Sequence, residues 1–237
     1  MSQRKRRAGM GTAADRAAAG SGRGRDRADA APATGLGART RPAAARRQAI
    51  LEAALTEFAA RGYEAARLDD VAAAAGVAKG TLYLYFKDKQ ALFEELVLGA
   101  LTPIMDRIGA ARLSPDIKPL DVIEMFFALF QKEVLGTPRK HLLRLIIAEG
   151  PRFPAIAEFY YREVVMRGLA LMREIAGAAV ARGDFATDAA ARFPQLIVAP
   201  LLLAVIWDGL FSNIAPLEID GLLRAHRDLI SGGGWQP

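Results

Sequence analysis

The chain has 237 residues, 52% of them hydrophobic, which is material for one medium or two small buried cores. With no cysteine it has neither disulfides nor thiolate metal ligands, and nothing in its composition asks for an oxidising compartment. The net charge of +6 is unevenly spread: ten of the 32 basic residues and three of the 26 acidic ones fall in residues 1–42, which leaves 22 against 23 for the rest.

Residues 1–42 are dominated by Ala, Gly, Arg and Ser and have almost no large apolar side chain, so they cannot bury enough surface to offset the entropy of ordering. A disordered basic tail is expected there. It is either a solvated extension or an arm that adds non-specific attraction to phosphates. No apolar stretch follows its charges, so it does not read as a secretory signal, and the expected compartment is the cytoplasm.

From Ala43 the spacing turns helical: Ile50, Leu51, Ala54, Leu55, Phe58 and Ala59 share one face. Gly62 is expected to end this helix as a left-handed cap. Leu68, Val71, Ala72 and Ala75 form the inner face of a short second helix, which Gly76-Val77 breaks, and the small Ala72-Ala73-Ala74 run lets a neighbour cross closely. A third helix is expected from about Ala78 to Phe86, with Leu82 and Phe86 turned inward at i, i+4. Asp88 then caps a fourth that begins near Lys89.

Beyond it, apolar-periodic stretches near 89–111, 118–135, 138–148, 155–182, 188–212 and 219–231 alternate with Gly and Pro breakers such as Gly136-Thr137-Pro138 and Gly150-Pro151. No segment alternates as a strand does, so the fold class is all-α. The longest apolar run, Leu196 to Trp207, is interrupted by Pro200 and closed by Asp208; a bilayer span needs roughly 20 apolar residues, and no membrane partner is expected.

A helix, a glycine-containing turn and a second short helix packed across it make a helix-turn-helix, whose second helix is presented to a DNA major groove. At that helix's N-terminal end Lys79 supplies charge, Gly80 permits close backbone approach, and Thr81 offers a hydroxyl and a methyl to phosphate or base. Tyr83 and Tyr85 cannot both be core, because Leu82 and Phe86 hold the inward face, and flanking phenols suit phosphate oxygens.

Residues 62–93, from Gly62-Tyr63 through Leu68-Asp69-Asp70-Val71-Ala72 and Ala75-Gly76-Val77-Ala78-Lys79-Gly80-Thr81-Leu82-Tyr83 to Leu92-Phe93, strongly resemble the DNA-binding head of the TetR family of transcriptional regulators. The resemblance is strong over roughly a fifth of the chain and only architectural beyond it. It implies a three-helix head over 43–93 and a helical ligand-binding and dimerisation body over 94–237, about nine helices. It also implies backbone contacts to DNA from Tyr83, Tyr85 and Lys89, the last helped by the N–H groups at the start of the fourth helix.

Two positions depart from the family pattern. Arg67, after Ala66, stands where Thr or Ser usually precedes the second helix, and Ala78 stands where Ser usually precedes the third, so both hydroxyl caps are missing. Arg67 is either a phosphate contact or a solvated arginine.

In the body, Met105, Phe126, Phe127, Phe130, Phe159, Met166 and Trp207 are pocket candidates in a family that binds small molecules between helices, with Tyr160, Tyr161 and Met172 as further large groups beside them; ordinary core packing is the other reading of each. His141 and His226, the only histidines, lie far apart, so no metal is expected. His226 lies on the apolar stripe Ile219, Leu222, Leu223, Leu229 and Ile230, which suits core or interface. The last two segments are apolar on more than one face, and the resemblance implies that Leu196, Leu203, Leu222, His226 and Leu229 meet a twin in a four-helix homodimer interface. Pro103 and Pro200 are expected to kink their helices, the first making the fourth helix a lever between body and head.

The function that follows is a repressor, released from a palindromic double-stranded DNA operator by a small hydrophobic inducer. No cofactor is implied. An enzyme would need convergent polar groups, and the tail's Gly20-Ser21-Gly22-Arg23-Gly24 has no strand before it to make a phosphate loop. The alternative is a DNA-binding regulator or architectural protein controlled by a protein partner, a reading that a body lacking a pocket of roughly 300 Å³ favours.

Overall fold

A computed structural model describes residues 42–232, so the expected disordered tail lies, apart from Pro42, outside the described residues. The described residues hold eleven α-helices and no strand: α1 (Ala43–Ala65), α2 (Leu68–Ala74), α3 (Lys79–Tyr85), α4 (Lys89–Ala111), α5 (Pro119–Phe130), α6 (Lys140–Glu149), α7 (Pro154–Tyr160), α8 (Met166–Arg182), α9 (Ala189–Arg192), α10 (Gln195–Phe211) and α11 (Ile219–Ser231). The helix α4 continues without a break across the expected head–body boundary at residue 93 and past Pro103.

Three stretches differ from their reading as single α-helices. Residues Gln131–Leu135 continue α5 as a π-helical turn, and Tyr161–Val165 join α7 to α8 in the same way. Each adds a residue to the turn and rotates everything after it relative to an uninterrupted 3.6-residue period. The third is split by Pro194, which forces Phe193 out of helical geometry (φ −124°, ψ 74°) and separates α9 from α10.

The head is built as its periodicity dictates. Ile50, Ala54 and Phe58 of α1 are buried, as are Val71 and Ala72 of α2 and Leu82 of α3 with Phe86 behind it. Gly76 takes the positive φ of 66° that turns α2 towards α3. Neither Arg67 nor Ala78 makes a side-chain cap, whereas Asp88 Oδ1 accepts the Ala91 N–H at 2.7 Å.

Gly62 has the expected positive φ (78°), but its ψ of 176° is extended, so the chain swings out and re-enters a last helical turn over Tyr63–Ala65 instead of ending in a left-handed cap. That conformation is nearly closed to residues with a Cβ. A Cβ here would also stand 2.9 Å from Glu149 Oε1 at the end of α6.

The detour puts Tyr63 at a junction of three elements. Its ring stacks on Phe58 and meets Phe93 of α4 and Phe153, just before α7, edge-on at 5.4 and 5.1 Å. The carbonyls that end α1 are taken by Lys89: its Nζ donates to Tyr63 O at 2.7 Å, Glu64 O at 2.8 Å and Ala66 O at 3.2 Å. Burial lowers the Lys89 pKa, opposed by the charges of Glu64 and Glu149. Arg152 adds a 2.7 Å ion pair to Glu64.

Two substitutions test this junction by urea unfolding. Gly62→Ala is expected to lose roughly 1–3 kcal/mol through backbone strain. Lys89→Met is expected to lose roughly 1–2 kcal/mol, since water reaches the Glu64 carbonyl more readily than the other two. Unchanged stability in Lys89→Met would show that the lysine does not hold α1 to α4.

Candidate nucleic-acid interface and internal cavity

The outward face of α3 is made by the residues its inward face leaves over. With Leu82 and Phe86 in the core, Lys79, Gly80 and Tyr83 are exposed, and Thr81 and Tyr85 are half-buried on the flanks. A Cβ at Gly80 would meet nothing within 4 Å, so packing within the chain does not call for glycine there. Arg67, exposed at the start of α2, lies outside the core as well.

The charge at this surface is partly committed. Lys79 Nζ lies 2.7 Å from Asp69 Oδ1, and that hydrogen-bonded pairing raises the lysine's pKa. Both partners are exposed, and such pairs exchange readily with water and with other ions. Lys89 is placed differently from its sequence reading: its ammonium faces the three α1 carbonyls, and the N-terminal N–H of Ala91 is satisfied by the Asp88 carboxylate. The geometry thus engages the Lys89 ammonium as a latch between α1 and α4.

One residue of this surface escaped the motif. Leu84 is 84% exposed, two residues from each of the inward Leu82 and Phe86, so the same i, i+4 argument that buries those two puts Leu84 outside. An exposed aliphatic group beside polar ones is suited to the C5-methyl of thymine or a sugar face.

The body holds a cavity of about 390 Å³, partly open to solvent at the exposed Ile147, Leu202 and Ile206, between α4, α5, α6, α8 and α10, with the π-helical turn after α7 supplying part of its wall. Met105, Phe126 and Phe130 line it, as their sequence reading allowed. The other four candidates do not. Phe127, one residue round from Phe126, is buried against the His226 ring at 6.3 Å, and Phe159 is buried away from the cavity. Met166 is 53% exposed, because the π-helical turn carries Val164 and Val165 inward in its place. Trp207 donates its indole N–H to Ala215 O at 2.6 Å and packs edge-on to Phe211.

Of the further large groups, Tyr160 and Met172 line the cavity and Tyr161 does not; sequence reasoning missed Gln195, which with Tyr160 supplies the polar side chains of the wall, along with Leu143, Leu202 and Ile206. Gln195, Val198, Leu202 and Ile206 recur at i, i+3, i+7, i+11 and were legible as one stripe of α10, but the whole run is so apolar that no stripe stands out. Tyr160 is driven by burial alone to a pKa of about 12. Just outside the wall, Lys140 and Arg144 of α6 both pair with Asp208 of α10, the lysine at 2.7 Å, and hold that carboxyl below its usual pKa.

Of the interface candidates, Leu196, Leu203 and Leu229 are exposed at 41%, 44% and 67%, while Leu222 and His226 are half-buried. Burial lowers the His226 pKa, opposed by a hydrogen bond to the Leu196 backbone; its Nε2 has no partner among the described residues, and the ring lies beside Phe127. Among the described residues no cluster of His, Cys, Asp or Glu could hold a metal ion, and no helix is long and apolar enough to cross a membrane.

Comparison with known proteins agrees with this geometry. The family profile described as bacterial regulatory proteins, tetR family, matches residues 50–96, and that of the AefR-like transcriptional repressor C-terminal domain matches residues 124–224. The chain is 49% identical over 66 residues to the HTH-type transcriptional regulator YhgD of Bacillus subtilis, covering 28% of this chain and 35% of that one. It is 31% identical over 144 residues to the HTH-type transcriptional regulator RutR of Escherichia coli, covering 60% and 58%. The chain thus spans less than two thirds of the length of these curated relatives. The fold matches that of the fatty acid degradation regulator FadR from Bacillus halodurans with a TM-score of 0.64 at 23% identity, over 79% of this chain and 95% of the other. With one profile on the helix-turn-helix and the other on the body that holds the cavity, the chain belongs to the TetR family.

Proposed function

We propose that this protein is a DNA-binding transcriptional repressor that sits on a palindromic operator as a homodimer and leaves it when a small hydrophobic ligand enters the body. The observation that carries the reading is α3: a two-turn helix anchored by Leu82 and presenting Lys79, Gly80, Thr81 and Tyr83 outward, with space around Gly80 that nothing in the chain fills. Arg67 and Tyr85 flank it as phosphate contacts, and Lys89 acts by fixing α4 against α1.

Two-fold pairing is supported by the apolar side chains that α10 and α11 leave in water. Leu196, Leu203 and Leu210 recur every seventh residue of α10, and Leu229 lies on α11, all between 41% and 67% exposed. Fully covering an aliphatic side chain of this size is worth about 1.5–3 kcal/mol. A contiguous set of them fits a face that a second copy covers.

Control by a ligand is supported by the cavity, whose volume of about 390 Å³ favours it over control by a protein partner alone. Its route to DNA is structural: Leu101, Ile104, Met105 and Ile108 of α4 form one wall, and the same helix begins at Lys89 and Phe93, which grip the head. A shift of that wall moves the head and changes the separation of the two recognition helices. The fold shared with a fatty acid degradation regulator is consistent with small-molecule control.

The test is selection of duplex fragments from the source genome by the purified protein. It should recover a two-fold-symmetric site with half-sites about 34–36 Å apart. Lys79→Ala and Arg67→Ala should each weaken binding and reduce the slope of log K against log salt by about 1. The reading fails if no duplex is preferred over bulk DNA at modest ionic strength. In sedimentation, Leu203→Glu should shift the protein towards monomer and lower operator affinity with it; a dimer undisturbed by this change places the interface elsewhere.

A further inference from the structure

Among the described residues, the wall of the cavity contains no Arg, Lys, His, Asp or Glu side chain. Of its 20 residues only Tyr160 and Gln195 carry a polar side-chain group, and Gln195 is exposed at the rim, beside Leu202 and Ile206. The cations next to the wall, Lys140 and Arg144, are committed to Asp208. Apart from the exposed Gln195, Tyr160 therefore carries the only side-chain hydrogen-bonding group of the wall, and its hydroxyl has no partner among the described residues.

We infer that the ligand of this cavity is an uncharged, largely hydrocarbon molecule whose single oxygen accepts a hydrogen bond from Tyr160. The inference rests on the ligand-released reading above and specifies what that ligand is. An ionised carboxylate or ammonium group would lose its hydration against aliphatic carbon with no opposite charge to meet it, and that loss is several kcal/mol even after relaxation. Burial keeps the phenol protonated at every physiological pH, so it donates and does not compete as an anion. Size follows from volume: a cavity of about 150 Å³ holds one benzene, so about 390 Å³ holds roughly 16 non-hydrogen atoms. That size and the apolar wall suit an alkyl chain or a two-ring framework carrying a hydroxyl, carbonyl or ether.

The experiment uses the full chain and the neutral fluorophore N-phenyl-1-naphthylamine, displaced at neutral pH by 1-dodecanol, dodecanoate, dodecylammonium and dodecanoyl-coenzyme A below their micellar concentrations. Dodecanol is expected to displace the probe at a concentration at least roughly tenfold below that of any charged analogue. Tyr160→Phe should weaken dodecanol by roughly two- to tenfold and leave the probe's own affinity unchanged. Gly168→Leu fills the cavity from a helix position where a Cβ meets nothing closer than Met105 Sδ at 3.9 Å, so it should abolish probe binding without unfolding the protein.

A charged analogue that competes as well as dodecanol, in protein whose probe binding Gly168→Leu blocks, overturns the inference and leaves ligand control standing. Probe binding that survives Gly168→Leu places the ligand outside this cavity and overturns the inference too. No saturable probe binding by the unaltered protein removes the ligand-released reading itself, and the inference with it.

Discussion

The structure turns on how one helix end is satisfied. An α-helix leaves its last carbonyls without partners, and at the end of α1 two of those carbonyls are partly buried against the start of α4. Lys89 supplies three donors to them from the first residue of α4. The cost of partly burying its charge is visible in its lowered pKa and is offset by the carbonyl dipoles and by Glu64 and Glu149. Because Lys89 opens a 23-residue helix, about 34 Å long, the head is fixed to one end of a rod whose middle forms a wall of the cavity. The positive φ of Gly62 is what aims the final turn of α1 at that lysine, and the rings of Phe58, Tyr63, Phe93 and Phe153 fill the space around it.

The two working regions have opposite chemistry, and each follows from its surroundings. On α3 the polar groups are exposed and loosely held, so the Lys79–Asp69 pair can be exchanged for other ionic contacts at little expense. In the cavity nearly every wall atom is carbon, and the one phenol is neutral. Charge acts where water can screen and exchange it, and shape acts where water is excluded.

Much of this was legible in the sequence and some was not, for identifiable reasons. The head is set by local rules: i, i+4 burial of Leu82 and Phe86, the Gly76 turn and the Asp88 cap all appear where the residues place them. The latch made by Lys89 was not legible, because its partners are carbonyls 23 to 26 positions earlier and no side-chain pattern marks them. The cavity was only half legible. Phe126 and Phe130 follow the helical period, but the π-helical turn over Tyr161–Val165 rotates what comes after it, which exchanges Met166 for Val164 and Val165. No propensity announces such a turn. Trp207 looked like a pocket residue because it is large, yet its indole N–H needs an acceptor, and it found one at Ala215 O outside the cavity.

In the proposed mechanism a ligand releases DNA only if it binds the released arrangement more tightly than the DNA-bound one, and affinity common to both shifts nothing. The cavity walls differ in this respect. The one supplied by α8 can yield to a guest without displacing the head, whereas α4 carries Lys89 and Phe93, and α6 packs along α1 and ends at Glu149 beside Gly62. The Asp208 pairing with Lys140 and Arg144 ties α10 to α6, so pressure on α10 also reaches the helix that touches the head. Close-packed walls do not deform continuously; they repack. A guest that only fills existing space would therefore bind without releasing DNA. An effective inducer has to press on Leu101, Ile104 or Met105 of α4, or on Leu143 and Ile147 of α6, and its potency is set by the contacts it makes on those two helices more than by its total buried area.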